Sequence, residues 1–307
     1  MTNPQLDCHQ ASHEEKCAAF ANVHEFWGNE MPLEQYVQWR LNSIHHQRAI
    51  WYVGVVGNTV VASLGVFPMF LSDHGDVNPV MFIGAVHTHP DFRKRGYAAE
   101  LITYAEQDQK AHYDVRWSFL FSDINPAYYA RLGYQSSNAP NVRILPAEVD
   151  GWSTEPLNIT SEMDEMIVFY DSNHLRQSCF LHRPQPYWEF LSKKHAKDQF
   201  SWLVEGNQRQ GYIHIRNNDG LACLEDFAVA DHDEFTLGRL ARSVALYANQ
   251  QNISEVHGWF PPITTAYSWL QFSQRQTEIT MWKSLSDRSL TADQIEELAY
   301  FRHIDHV

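Results

Sequence analysis

Two periodicities alternate along this chain. Residues 80–86 form an apolar, partly β-branched run that predicts a buried strand, and after it Ala98, Leu101, Ile102 and Ala105 recur at helical spacing. Residues 50–56 and 59–67 are apolar runs joined by Gly57-Asn58, a dipeptide that tolerates positive φ and so predicts a tight hairpin. A short first strand is expected at 6–9, helices at 13–27 and 33–45, a loop at 71–79 rich in Asp, Gly, Asn and Pro, and another strand at 115–121.

The second half repeats the first. Gly206-Asn207 joins the apolar run 201–204 to the alternating run 212–215, as Gly57-Asn58 does earlier. An offset of 139 residues, the separation of Leu240 from Leu101, also lays Leu237 on Ala98 and Val244 on Ala105. The same offset lays Tyr267-Ser268 on Tyr128-Tyr129. One constant offset serving two segments predicts a duplicated unit, with domains at 1–148 and 149–307.

Between the strand at 80–86 and the helix lies a basic turn, Arg93-Lys94-Arg95-Gly96-Tyr97-Ala98. Unpaired N–H groups and the macrodipole at a helix N-terminus favour an anion, Gly96 allows a close backbone approach, and three cations stand beside it. The turn reads as a pyrophosphate cradle. At these residues the chain resembles the Gcn5-related N-acetyltransferase (GNAT) superfamily, whose acyl-coenzyme A loop is written Arg/Gln-x-x-Gly-x-Gly/Ala. Downstream, Tyr129-Ala130-Arg131-Leu132-Gly133-Tyr134 resembles the family's second signature, Tyr-x-x-x-Gly-Phe/Tyr. Ala98 stands where glycine is commoner, and Ser122 where many members carry an asparagine that contacts the cofactor.

The resemblance implies an α/β fold of two fused GNAT-type lobes, each a twisted mixed sheet flanked by helices, similar to the enhanced-intracellular-survival and fungal lysine acetyltransferase-like proteins. It implies acetyl-coenzyme A as co-substrate, held by Val86, His87, Thr88, Arg93, Lys94, Arg95, Gly96, Tyr97, Ala98 and Ser122. Tyr129 falls on the family's catalytic acid; a purely structural aromatic is the other reading, since Tyr128, Tyr129 and Tyr134 cluster. In two double-lobe relatives the terminal carboxylate reaches the active site, so the Val307 carboxylate is the candidate base or amine anchor, against a terminal strand completing the sheet. The second lobe is expected to be degenerate. Where the first has Arg93-Lys94-Arg95-Gly96, it has His232-Asp233-Glu234-Phe235, and Ser268 stands for Tyr129.

Composition narrows the picture further. A formal charge of −14 argues against nucleic acid and suits a cationic acceptor. Four cysteines without paired spacing, and no apolar run long enough to span a bilayer, point to a soluble cytoplasmic protein. Seventeen histidines, among them His87 and His89 on one strand face, show no familiar ligand spacing, so no metal is expected; His87 stays a minor candidate for proton relay. Glu25, Glu30 and Glu34 are either an acceptor mouth or a solvated helix face. The expected activity is acetyl transfer to a small, cationic primary amine by direct attack in a ternary complex. The alternatives are a non-catalytic acyl-coenzyme A sensor, or acyl transfer to a peptide or protein amine.

Overall fold

A computed structural model describes residues 5–218, 221–231 and 233–307. The first half runs β1 (Asp7–Gln10), α1 (His13–Asn22), α2 (His24–Trp27), α3 (Leu33–Asn42), α4 (Ile44–Gln47), β2 (Ile50–Val56), β3 (Thr59–Asp73), β4 (Asp76–Thr88), α5 (Tyr97–Tyr113), β5 (Trp117–Ser122), α6 (Ala127–Ala130), β6 (Gln135–Ser136) and β7 (Pro140–Ile144). The second runs β8 (Ser153–Leu157), α7 (Met163–His174), β9 (Cys179–His182), α8 (Gln185–Lys194), β10 (Phe200–Glu205), β11 (Gln208–Asn218), β12 (Leu221–Val229), α9 (Glu234–Gln250), β13 (Val256–Trp259), β14 (Leu270–Gln274), β15 (Ile279–Ser284) and α10 (Ala292–Glu297), followed by two 3-10 turns. No helix among the described residues is long and apolar enough to cross a membrane.

The strands form two mixed sheets, ordered β1-β2-β3-β4-β5-β15-β6, with β9 on the outer part of β3, and β14-β7-β13-β12-β11-β10-β8. Each has one parallel pair at its centre, β4 with β5 and β12 with β13, followed by an exchange. The strand beside β5 is β15 from late in the chain, and the strand beside β13 is β7 from the first half. Sheet membership therefore crosses the 148/149 boundary in both directions. The 139-residue offset relates the starts of β5 and β13, Trp117 and Val256, while α5 and α9, both of 17 residues, are offset by 137.

Three expectations are corrected. The loop at 71–79 is a hairpin, because β3 continues to Asp73 and β4 begins at Asp76, joined by His74 and Gly75 at φ 50° and 89°. Two positive φ values in a two-residue turn match the right-handed twist of the flanking strands, so the Asp, Gly and Asn there encode one tight turn. The helix at 13–27 breaks at Val23 into α1, entered through a Ser12–Glu15 capping box, and α2. The helix at 33–45 likewise ends at Asn42, where Ser43 turns extended before α4.

One core is continuous across the lobes. Phe82, Trp117 and Phe119 from the first sheet pack in the same cluster as Trp188, Trp202, Tyr212 and Trp259 from the second half. Burying each such side chain contributes about 1.5–3 kcal/mol, which makes the contact between lobes a core rather than a sliding surface.

Candidate active site

β4 and β5 pair from Val80 opposite Trp117 to Ile83 opposite Leu120, and there the pairing stops. Beyond Ile83, β4 keeps only its antiparallel partner β3, with a bulge between Ser63 and Gly65 and Ala85 at φ 52°. An extra residue on one strand bends it and sharpens its twist, so residues 84–88 leave β5 and expose a strand edge. Val86, His87 and Thr88 lie on that edge.

The edge leads into the cradle. Gly96 adopts φ 87° as the N-cap of α5, no side chain caps the helix, and a Cβ placed on Gly96 would meet nothing within 4 Å. Arg93 donates from Nε to Thr88 O at 3.1 Å and lies 5.4 Å over the Phe26 ring. Arg95 donates to Asp91 O at 3.1 Å, and Lys94 is exposed at φ 62°. Tyr97 turns into the core, whereas Ala98 stays half-buried. The arrangement fits an acyl-coenzyme A pyrophosphate: open space, a positive-φ glycine, an uncapped helix start and adjacent cations. Ser122 spends its hydroxyl on Ile124 O at 2.9 Å, ordering the turn after β5.

The equivalent place in the second lobe is closed by the protein's own carboxylates. Asp233 caps α9 by accepting from Thr236 N at 2.7 Å, and Glu234 accepts from Thr264 N and Thr265 N. An anion there would meet fixed negative charge. His232 lies outside the described residues. The second-lobe segment matching α6 forms no helix, and Tyr267 accepts instead from Arg242 at 2.8 Å.

The C-terminal residues run back to the first lobe. Asp305 accepts from Arg183 at 3.1 and 2.7 Å and from Tyr187 Oη at 3.0 Å, while Arg183 also grips Asp226 at 2.8 and 3.2 Å. Arg302 donates to Phe227 O and Asn173 Oδ1 and lies 3.8 Å over the Phe227 ring. His306 stacks on Phe121 with centroids 5.1 Å apart. Anchored so, the tail ends in a 3-10 turn rather than a strand, and Val307 comes to Gly84: an ideal Cβ on Gly84 would lie 3.1 Å from the Val307 carbonyl carbon. A side chain at residue 84 would therefore press on the Val307 terminus and displace it by a few tenths of an ångström.

Val307 lines a cavity of about 330 Å³ with Trp27, Tyr36, Trp39, Arg40, His45, His46, Phe67, Ala85, Asp123 and His306. Arg40 donates to Tyr36 Oη at 2.7 Å and faces the rings of Phe20, Trp27 and Trp51. Burial pushes His45 down to about 2 and His46 to about 3, so both stand neutral at pH 7. His87, buried under Phe26 with neither ring nitrogen bonded, is lowered to about 4, first by burial and then by Arg93.

Tyr129 approaches from the other face of the sheet. It packs with Met81, Ile83, Leu101 and Leu120 beneath α5, whereas Val307 belongs with Phe67, Phe82 and Phe119 on the opposite side. Burial, then Tyr128 and Asp123, raise its hydroxyl to about 12. The structure thus gathers the cradle, strand edge and Tyr129 on the α5 side and Val307 on the other, with the β4–β5 opening between. Glu25, Glu30 and Glu34 are exposed and line no part of the cavity. The Arg183 clamp and the bulge at Ala85 escaped sequence reasoning: the clamp joins residues 43 and 122 positions apart, and one extra residue in a long apolar strand leaves its hydrophobic pattern unbroken.

Residues 7–136 match the family model described as "Acetyltransferase (GNAT) domain". No curated protein matches the sequence. Among solved structures, a probable N-acyltransferase from Enterococcus faecalis V583 aligns with TM-score 0.67 at 14% identity, covering 91% of this chain and 72% of its own. A GCN5-related N-acetyltransferase from Anabaena variabilis ATCC 29413 aligns with TM-score 0.67 at 18% identity over the same shares, 91% and 72%. A tandem GNAT protein from the clavulanic acid biosynthesis pathway is covered over 100% of its chain and 93% of this one, with TM-score 0.55 and 14% identity. Residues 7–136, with the split sheet and its cradle, thus match the GNAT acetyltransferase domain, and the two-sheet fold of the whole chain is similar to that of the tandem GNAT protein.

Proposed function

We propose that the protein transfers an acyl group, acetyl in the first instance, from coenzyme A to a small cationic primary amine. The observation that carries this reading is the opening between β4 and β5, with the uncapped cradle at one end and Val307 against Gly84 at the other. Acyl-coenzyme A, when bound, supplies an activated thioester carbonyl. The strand edge at Val86, His87 and Thr88 offers backbone groups to orient the pantetheine arm, and the cradle residues Arg93 to Ala98 fix the other end, while Ser122 acts only by ordering the turn after β5. Aromatic faces of Trp27, Tyr36 and Trp39, together with Asp123 and the Val307 carboxylate, favour an ammonium group in the cavity. Arg40, the opposing cation in that wall, is already engaged with four aromatic rings.

The Val307 carboxylate takes the proton from the ammonium or anchors it, and Tyr129, held protonated by burial, gives one to the departing thiolate. Both partners lie within one ternary complex, so no covalent enzyme species is required. The second lobe serves to position the tail. A thiol-release assay with acetyl-coenzyme A and a panel of amines tests the proposal: saturable turnover with one class, abolished in Gly96→Glu, is expected. Cofactor binding by calorimetry without turnover on any amine would instead favour an acyl-coenzyme A sensor.

A further inference from the structure

Val307 also lines a second cavity, of about 230 Å³, with His45, Lys194, His195, Arg216, Glu225, His303 and His306. The two cavities share His45, His306 and Val307 as a common wall. Their chemistry differs. Where the first is aromatic, the second carries three cations, Lys194, Arg216 and His303, against the carboxylates of Glu225 and Val307.

Arg216 and His303 already share Glu225, at 2.5 and 2.8 Å. His303 is a true cation: against the burial that lowers it, hydrogen bonds with Cys223, Glu225 and Glu278 hold it near 12. Lys194, the last residue of α8, has no such partner; Glu225 and Asp305 act on it only through space, and burial lowers its pKa. Lys194 is half-buried, so an anion entering the cavity would give its ammonium the ion-pair partner it otherwise finds only at a distance. His45 Nδ1 and His306 Nε2, in the shared wall, are shut from solvent without a protein partner and are free to carry N–H donors toward an acceptor oxygen. The neighbouring His195 and His214 face Asp198 at 2.7 and 3.3 Å, which engages that carboxylate although His195 Nε2 and His214 Nδ1 keep no hydrogen-bond partner among the described residues.

We infer that this cavity is the second half of the acceptor site and takes an anionic group, a carboxylate or phosphate, carried by the same molecule that presents its amine beside Val307. The inference rests on the acyl-transfer reading above. It narrows the acceptor to an amine bearing an anion at a distance, rather than a simple polyamine. Lys194 is then a specificity residue, because it touches the end of the substrate that does not react.

Matched pairs of acceptors differing only in the anion provide the test: lysine against cadaverine, and phosphoethanolamine against ethanolamine, in the thiol-release assay with acetyl-coenzyme A. The anionic member of one pair is expected to have at least a tenfold higher kcat/KM, expressed mainly in KM. Lys194→Met should collapse that ratio at least tenfold. The pair that shows the preference identifies carboxylate or phosphate. Equal or better turnover of the member lacking the anion in both pairs overturns the inference, as does a ratio unmoved by Lys194→Met. If no amine releases thiol, the acyl-transfer reading fails separately. Melting temperature in acetate and inorganic phosphate then decides: a rise in wild type that Lys194→Met loses keeps the anion site, and no rise removes it.

Discussion

Replacing Asp305 by Asn tests whether the Arg183 clamp is what delivers Val307 to Gly84. Asp305 is 1% exposed and accepts three hydrogen bonds, two of them from a guanidinium that is itself wholly buried. In the wild type, Arg183 and Arg302 balance Asp226 and Asp305; the substitution leaves one buried positive charge uncompensated. Breaking a buried ion pair costs about 3–5 kcal/mol, and because Asn keeps the shape and one accepting oxygen, the loss should sit near 3 kcal/mol. That is roughly a hundredfold in the equilibrium governing release of the tail. Urea unfolding followed by fluorescence of the buried tryptophans should show a lower midpoint with an unchanged slope. Carboxypeptidase should remove His306 and Val307 up to about a hundred times faster than from wild type. An unfolding free energy within about 0.5 kcal/mol of wild type together with unchanged trimming would show that the clamp does not dock the tail.

Three other outcomes follow from the same geometry. Gly96→Glu places a carboxylate at the uncapped start of α5 and forces an L residue to φ 87°; the Kd for acetyl-coenzyme A by calorimetry should rise more than tenfold, with a stability loss of about 1 kcal/mol. Tyr129→Phe removes the proposed acid and should lower kcat by about a hundredfold while leaving the KM for acetyl-coenzyme A within about threefold; turnover near wild type across pH would rule Tyr129 out as the acid. Burial holds His45, His46 and His195 at about 2, 3 and 4, below their ordinary value, so between pH 6.5 and about 4 the unfolded chain binds protons that the folded one refuses. Stability should therefore fall as pH falls by up to about 1.4 kcal/mol per unit for each, and the gap between urea midpoints at pH 7 and 5 should narrow in His45→Gln relative to wild type. His303 has the opposite sign: its raised pKa stabilises fully below about 6.5 and is lost as pH climbs toward 12.

The strand, cradle and helix around Gly96 were legible because each is local: a hydrophobic run, a basic turn and a helical period within twenty residues. The duplicated plan was legible for the same reason, since both Gly-Asn turns sit between strands that pair. What could not be read was pairing at long range. The exchange of β7 and β15 leaves no mark on either segment's own pattern, and Pro79 with its polar neighbours masked a hairpin whose register is set by β3 across the sheet. At the site, the glycine turn at the start of α5 followed from local pattern, whereas Tyr129 was singled out only by the resemblance of residues 129–134 to the family's second signature. The aromatic cavity, the clamp and the cationic pocket depend on residues from α3, α4, α8, β12 and the tail, which meet only after both lobes are packed.

The strand exchange has a consequence for biosynthesis. A nascent chain that has emerged as far as β7 holds a first sheet whose β5 edge still lacks β15, more than 130 residues away in sequence. The first lobe must therefore wait, with an open strand edge, until almost all of the second has left the ribosome, while β7 waits for β13. Such contacts of large sequence separation slow folding and expose edges that pair with other chains. Cutting the gene at the lobe boundary should yield two fragments that each lack a sheet neighbour and recover only when expressed together.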